Sequence, residues 1–250
     1  MRRQRRLFKG TKKQRKGYGW RRGTDEHIKT SGRFAERLAE RVLGGVRAKD
    51  GDDACDLWHK EFDAGIESKM GSSRDGVKVR EDQLDNHLEM CEDGFPFSRY
   101  WYVFLKYRNS GPNGDKTSGR LFQELVRQEK DVPGFFAENT TGLYVLDIRI
   151  VDAIRNVRGA DIVMWRGSGC SLAVRIGWKF FNELKAAPNV ALRSLGLNPR
   201  KYQLGVQPVT MSFEGQRMEF EFLSLLDIGL VHNNHRAPTL FPMSLRKRVA

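Results

Sequence analysis

Long apolar runs are missing from this chain. Across its 250 residues nothing comes near the roughly 18–20 uninterrupted apolar positions that a membrane-spanning helix needs. The longest runs, at 143–146 and 162–165, are strand-sized. No apolar signal region follows Met1, and no internal repeat recurs. Cysteine is scarce: three residues, an odd number, argue against the disulfide framework of a secreted module. Together these absences point to an intracellular protein, with cytoplasm, nucleus and organelle left open, or to a virion protein, and in either case to no membrane partner. Acidic side chains are also absent from one whole segment, residues 1–24.

What fills that segment is positive charge. Arg2, Arg3, Arg5, Arg6, Lys9, Lys12, Lys13, Arg15, Lys16, Arg21 and Arg22 give it +11 of the chain's net +13. Arg236, Arg246, Lys247 and Arg248 add +4 at the other end, which leaves residues 25–235 nearly neutral at −2. A cationic block of this density repels itself and stays disordered until a polyanion neutralises it. Tyr18 and Trp20 sit among the cations, between Gly17, Gly19 and Gly23. Cations neutralise phosphates while the rings stack on unpaired bases, so the expected partner is nucleic acid, with RNA favoured over DNA because exposed bases are commoner in RNA.

The remainder reads as α+β: a helical layer over about 30–92, then a mixed sheet with helices, the whole preceded by the disordered basic arm. The expected organisation is a basic arm at 1–24, an acidic helical segment at 25–93, an α+β body at 94–235 and a basic tail at 236–250. Phe34, Leu38, Val42 and Val46 recur every four residues and predict a first helix from Thr30. Trp58, Phe62, Ile66 and Met70 repeat the same spacing and predict a second over 53–70; Leu84, Leu88 and Cys91 predict a third over 80–91. Residues 50–93 carry fourteen acids against five bases. Such a surface would turn away from phosphate and toward the protein's own arm or a basic protein neighbour. Beyond Gly94 the pattern predicts strands at 100–108, 144–150 and 160–165, and a helix over 117–130 that ends at Pro133-Gly134. Alternation from Leu172 to Trp178 fits a strand, although 171–185 also fits a helix. A hairpin is expected around Glu214-Gly-Gln-Arg217, with Val209, Met211 and Phe213 facing Met218, Phe220 and Phe222.

Several constellations could carry chemistry. Cys55-Asp-Leu-Trp-His59 and His87-Leu-Glu-Met-Cys91 mirror each other. On antiparallel helices, Cys55, His59, His87 and Cys91 would form the tetrahedral two-sulfur, two-nitrogen set that zinc prefers; small core residues in ordinary packing are the competing reading. Gly111-Pro-Asn-Gly-Asp-Lys-Thr117 lies where a phosphate loop would, but Asp115 stands where that loop needs glycine. His232-Asn-Asn-His235 reads as a solvated turn, and Ser168 lacks the glycine spacing of a nucleophile elbow.

Gly159-Ala-Asp-Ile-Val163 and Ala173-Val-Arg-Ile-Gly-Trp-Lys179, with Glu124 upstream, resemble over about sixty residues the layout of the PD-(D/E)xK nuclease fold. The resemblance implies an Asp and an acid-x-Lys unit holding a metal that activates water. Asp161 matches the first acid, but Arg175 stands in place of the second and Gly177 in place of the lysine, with Lys179 nearby.

The expected function is therefore a non-enzymatic RNA-binding structural component of a large ribonucleoprotein, of ribosomal or organelle-ribosomal type, packed among protein neighbours. It has no catalytic residue. A viral coat or nucleocapsid protein with a genome-binding arm is the first alternative, and a degenerate PD-(D/E)xK-like nuclease the second.

Overall fold

A computed structural model describes residues 22–48, 54–74, 76–94, 96–108, 110–111, 114–115, 132–157, 162–166 and 170–227. The fold is α+β. Helix α1 (Arg22–Leu43) buries Phe34, Ala35, Leu38, Ala39 and Val42 along one stripe. It stops at Gly44, whose φ of +80° only glycine adopts cheaply. Val46 therefore leaves the helical stripe and stands exposed on the short strand β1 (Val46–Arg47).

The second expected helix is not formed. Residues 57–72 make strands β2 (Leu57–His59) and β3 (Ala64–Ser72), joined by one 3-10 turn at Lys60–Phe62. A four-residue repeat is also twice the two-residue period of a strand, so a stripe at i, i+4 cannot distinguish the two. Here Leu57, Ala64 and Ile66 are buried against α1, and pairing in the sheet wins. After β4 (Val77–Arg80), helix α2 (Glu81–Asp93) agrees with the third expected helix and buries Leu84 and His87.

Strand β5 (Arg99–Tyr107) follows, then the small ribbon β6 (Ser110–Gly111) and β7 (Gly114–Asp115). The helix expected over 117–130 lies outside the described residues. Pro133-Gly134 lies in the first turn of α3 (Val132–Asn139), where a missing proline N–H costs nothing. Strand β8 (Thr140–Asp147) runs directly into α4 (Ile148–Val157), so Ile148 and Ile150 are buried from a helix rather than from a strand. The hairpin β9 (Ile162–Arg166) and β10 (Cys170–Ile176) precedes α5 (Trp178–Ala186) and α6 (Pro188–Ser194), so both readings of 171–185 hold in part. The chain then forms the expected hairpin, β11 (Tyr202–Phe213) with β12 (Gln216–Asp227). Glu214 and Gly215, at φ of 52° and 79°, supply its two-residue turn.

Seven strands form one mixed sheet in the order β1-β2-β3-β5-β8-β12-β11. The β3–β5 and β8–β12 pairs are parallel and the other neighbours antiparallel. The acidic segment and the body thus share a single sheet. Helices α1 and α3 cover one face, over Trp101, Val103, Leu143 and Val145. The other face, with Tyr100, Tyr102, Phe104 and Leu146, packs against α2, α4, α5, α6 and the three-stranded sheet β4-β10-β9.

Candidate active site

Strand β2 pairs with β3 only as far as Leu57 opposite Ile66. There the strands part, and the N–H of Ser68 meets the carboxylate of Asp56 at 2.7 Å where a ladder bond would otherwise continue. The residues flanking Ser68 face Tyr102 and Phe104 of β5 in register, so Glu67 and Lys69 share the α2 side of the sheet. Lys69 Nζ pairs with Glu67 Oε1, and Gln83 of α2 donates to the same oxygen at 2.7 Å. One point of the fold thus gathers Asp56, Glu67, Lys69 and Gln83 from two strands and a helix. Asp56 titrates far above the usual carboxylate range, at about 7, because burial and the neighbouring Glu67 both oppose its charge. A third acid, Glu36 of α1, adds to that repulsion and is itself held by Arg47 at 2.8 Å.

Behind the acids stands a buried relay. His87 lies flat on Tyr100, ring centroids 3.9 Å apart, and is fully buried. Tyr100 donates its hydroxyl proton to Ala54 O at 2.7 Å, so it accepts from His87 Nε2–H at 3.0 Å. Nδ1 of His87 then accepts from the Tyr102 hydroxyl at 2.9 Å, which assigns the tautomer. Burial pushes the imidazole pKa down to about 4 and keeps it neutral. The relay fixes the backbone two residues before Asp56.

The four Cys/His residues are not brought together. The premise of two antiparallel helices fails, because residues 57–59 form a strand. His59 bonds Leu43 O at 3.2 Å on the α1 face, beside Phe62 and Trp101, whereas His87 occupies the opposite face with both nitrogens engaged. Cys55 and Cys91 pack into the α2-side core, and burial pushes the Cys91 thiol up to about 12, away from the thiolate that zinc binds. Among the described residues no group of three or more His, Cys, Asp or Glu side chains is placed to hold a metal.

The basic residues of 1–24, with Tyr18 and Trp20, lie outside the residues whose side chains are described, as do Arg246, Lys247 and Arg248. Glu124, Asp161, Ser168, His232 and His235 also lie outside. Arg175 is half-buried on β10 opposite Lys78, and Lys179 points into solvent from α5 with Glu183 at 3.9 Å, so no acid-x-Lys unit is built there. That unit stands instead at Glu67-Ser68-Lys69, with Asp56 eleven positions before it. The helical spacing over 53–70 hides this stretch, although Gly65 within it disfavours a helix. A separate cavity of about 600 Å³ on the α1 face is lined by Arg33, Arg37 and Arg47, but Arg37 and Arg47 are engaged by Glu214 and Glu36.

Compared with protein-family models, with curated proteins and with solved structures, the chain matches none.

Proposed function

We propose that this protein is a metal-dependent nuclease resembling the PD-(D/E)xK type, with Asp56, Glu67 and Lys69 as its catalytic residues. The observation that carries the reading is the convergence of Asp56 with Glu67-Ser68-Lys69 where β2 leaves β3, backed by Gln83. The surrounding elements also support it: the acids stand at the edge of a mixed sheet in which α1 and three antiparallel strands β1-β2-β3 are followed by β4, α2 and a strand β5 parallel to β3.

The donor set fits a hard divalent cation. Two carboxylates with oxygen ligands suit Mg²⁺ or Mn²⁺, which keep several waters and need no closed protein cage. Asp56, whose pKa burial and then Glu67 raise to about 7, is the group such a charge would bring fully into its ionised form. A bound cation supplies an activated water and polarises the phosphate. The chain's own groups do the rest. Ser68 N–H aims Asp56, and Gln83 aims Glu67. Lys69 places an ammonium beside the reacting phosphate, where negative charge grows. The acidic surface that charge counting turned away from phosphate meets it through the cation.

The ribonucleoprotein and coat-protein readings rest on the two basic ends. Nucleic acid is the partner in all three readings, and here the arms would hold the strand by its phosphates while the site cuts. Among the described residues no helix is long and apolar enough to cross a membrane. The test is an oligonucleotide cleavage assay with Mg²⁺ or Mn²⁺ on wild type and Glu67→Gln purified in parallel. Metal-dependent cleavage lost in the variant supports the proposal; cleavage of equal rate in both, or none in the wild type, ends it.

A further inference from the structure

We infer that Trp58 is a stacking platform for an unpaired base beside this site, so that the substrate is single-stranded or frayed nucleic acid rather than an intact duplex. The location of the site is taken from the nuclease reading. Trp58 lies in β2 two residues after Asp56, which stands just before the strand, so the indole is within about 7 Å of chain of the acid and within reach of adjacent nucleotides. Trp58 is 38% exposed, and its cross-strand partner Val46 is 53% exposed. An apolar ledge at the sheet edge therefore borders the buried acids.

The ledge is held in place from beneath. Phe97 packs against Trp58 at 6.2 Å, Tyr100 against Phe97 at 6.4 Å, and His87 on Tyr100 at 3.9 Å, so the exposed indole is the surface end of a chain of rings that ends behind the acids. Gly65, opposite Trp58 on β3, permits this: a Cβ there would lie 2.7 Å from the rings of both Phe97 and Tyr100. A ring already fixed loses little freedom when a base lies on it. Lys60, exposed, holds its ammonium over the indole, 5.2 Å from the ring centroid; its flexible stem swings aside when a base takes that face, and the ammonium then meets the nucleotide's phosphate. A cation beside an exposed ring grips single strands without reading sequence, because every base has a face; in a duplex those faces are covered except at the ends.

The test is binding, measured by fluorescence anisotropy without divalent metal, using the full chain with a labelled single-stranded 20-mer and the blunt duplex of that length. Salt high enough to weaken the basic arms keeps their contribution small. Trp58→Ala is expected to lose about tenfold in single-strand affinity, Trp58→Phe to keep most of it, and duplex affinity to change little. Single-strand affinity unchanged in Trp58→Ala, or an equal loss on both ligands, overturns the inference. Circular dichroism of each variant shows whether it is folded; if Trp58→Ala is not, Trp58→Leu, which keeps an apolar side chain without a ring or a charge, replaces it under the same criteria. Cleavage by wild type with Mg²⁺ is scored separately, so a nuclease without a Trp58 effect, and a Trp58 effect without a nuclease, are distinct results.

Discussion

Asp56 and Glu67, where β2 leaves β3, and Asp147 and Asp227, at the C-terminal ends of β8 and β12, are two pairs of acids withdrawn from water in one sheet. Burial raises the pKa of Asp147 to about 6, much as it does for Asp56. Their partners differ. Asp147 accepts the N–H of Arg149 at 2.9 Å from the start of α4, which is an N-cap, and Arg149 reaches Asp227 at 3.4 Å. That pair is occupied in holding a helix end. Among the described residues, Asp56 accepts the N–H of Ser68 in a strand rather than capping a helix, and its partner acid is bound by a neighbouring lysine and glutamine. A raised carboxylate pKa alone does not mark a site; what the carboxylate is already bonded to decides.

The comparison can be broken most directly by cleavage. Glu67→Gln and Asp56→Asn should each lower the metal-dependent rate by about 10²–10³-fold, and Lys69→Met by a similar factor, since each removes a group that acts on developing charge. Asp147→Asn should change the rate less than about threefold. Equal losses at both pairs would mean that the assay reports folding, not chemistry.

A smaller effect separates the supports beneath the pairs. His87→Phe keeps the stacked ring but leaves the Tyr102 hydroxyl and one Tyr100 bond without a partner in the core, at a cost of about 2–3 kcal/mol. Thermal or urea unfolding should show that loss, and cleavage should fall too, because Tyr100, which holds Ala54 O two residues before Asp56, would lose the imidazole N–H that positions its hydroxyl. A variant as stable as wild type would remove the relay from the account.

How much of this was legible beforehand depended on whether local pattern and tertiary pairing agreed. At 209–222 the alternation, the Glu214-Gly215 turn and the final ladder all point one way, and the hairpin reads directly from the sequence. Along α1 the stripe is continuous until glycine interrupts it. At 53–70 the four-residue repeat fits helix and strand equally, and only pairing with β5, thirty-five residues on, settles it. That one ambiguity hid the site. Read as a helix, Glu67 and Lys69 fall on different sides; as a strand they share a face. At Asp161 and Arg175 a guanidinium stands in an acid's place, whereas Glu67-Ser68-Lys69, upstream, shows its acid-x-Lys spacing only once the stretch is a strand.

The smallest effect concerns pH, and it isolates the capping pair. An acid whose folded pKa is raised keeps its proton in the native state after the unfolded chain has lost it. For Asp147 that window runs from the unfolded value near 4 up to about 6, so its favourable contribution is complete below about pH 4 and is lost as pH rises through 6. Asparagine caps a helix as well as aspartate but has no proton to lose. Asp147→Asn should therefore match wild type at pH 4 and exceed it by about 1–2 kcal/mol at pH 7.5, read as a difference in Tm. Asp147→Ala removes the cap as well, so it should fall about 1 kcal/mol below wild type at pH 4. If wild type and Asp147→Asn show parallel pH profiles, Arg99 and Arg149 already stabilise the ionised Asp147. The two acid pairs would then differ in charge compensation as well as in bonding.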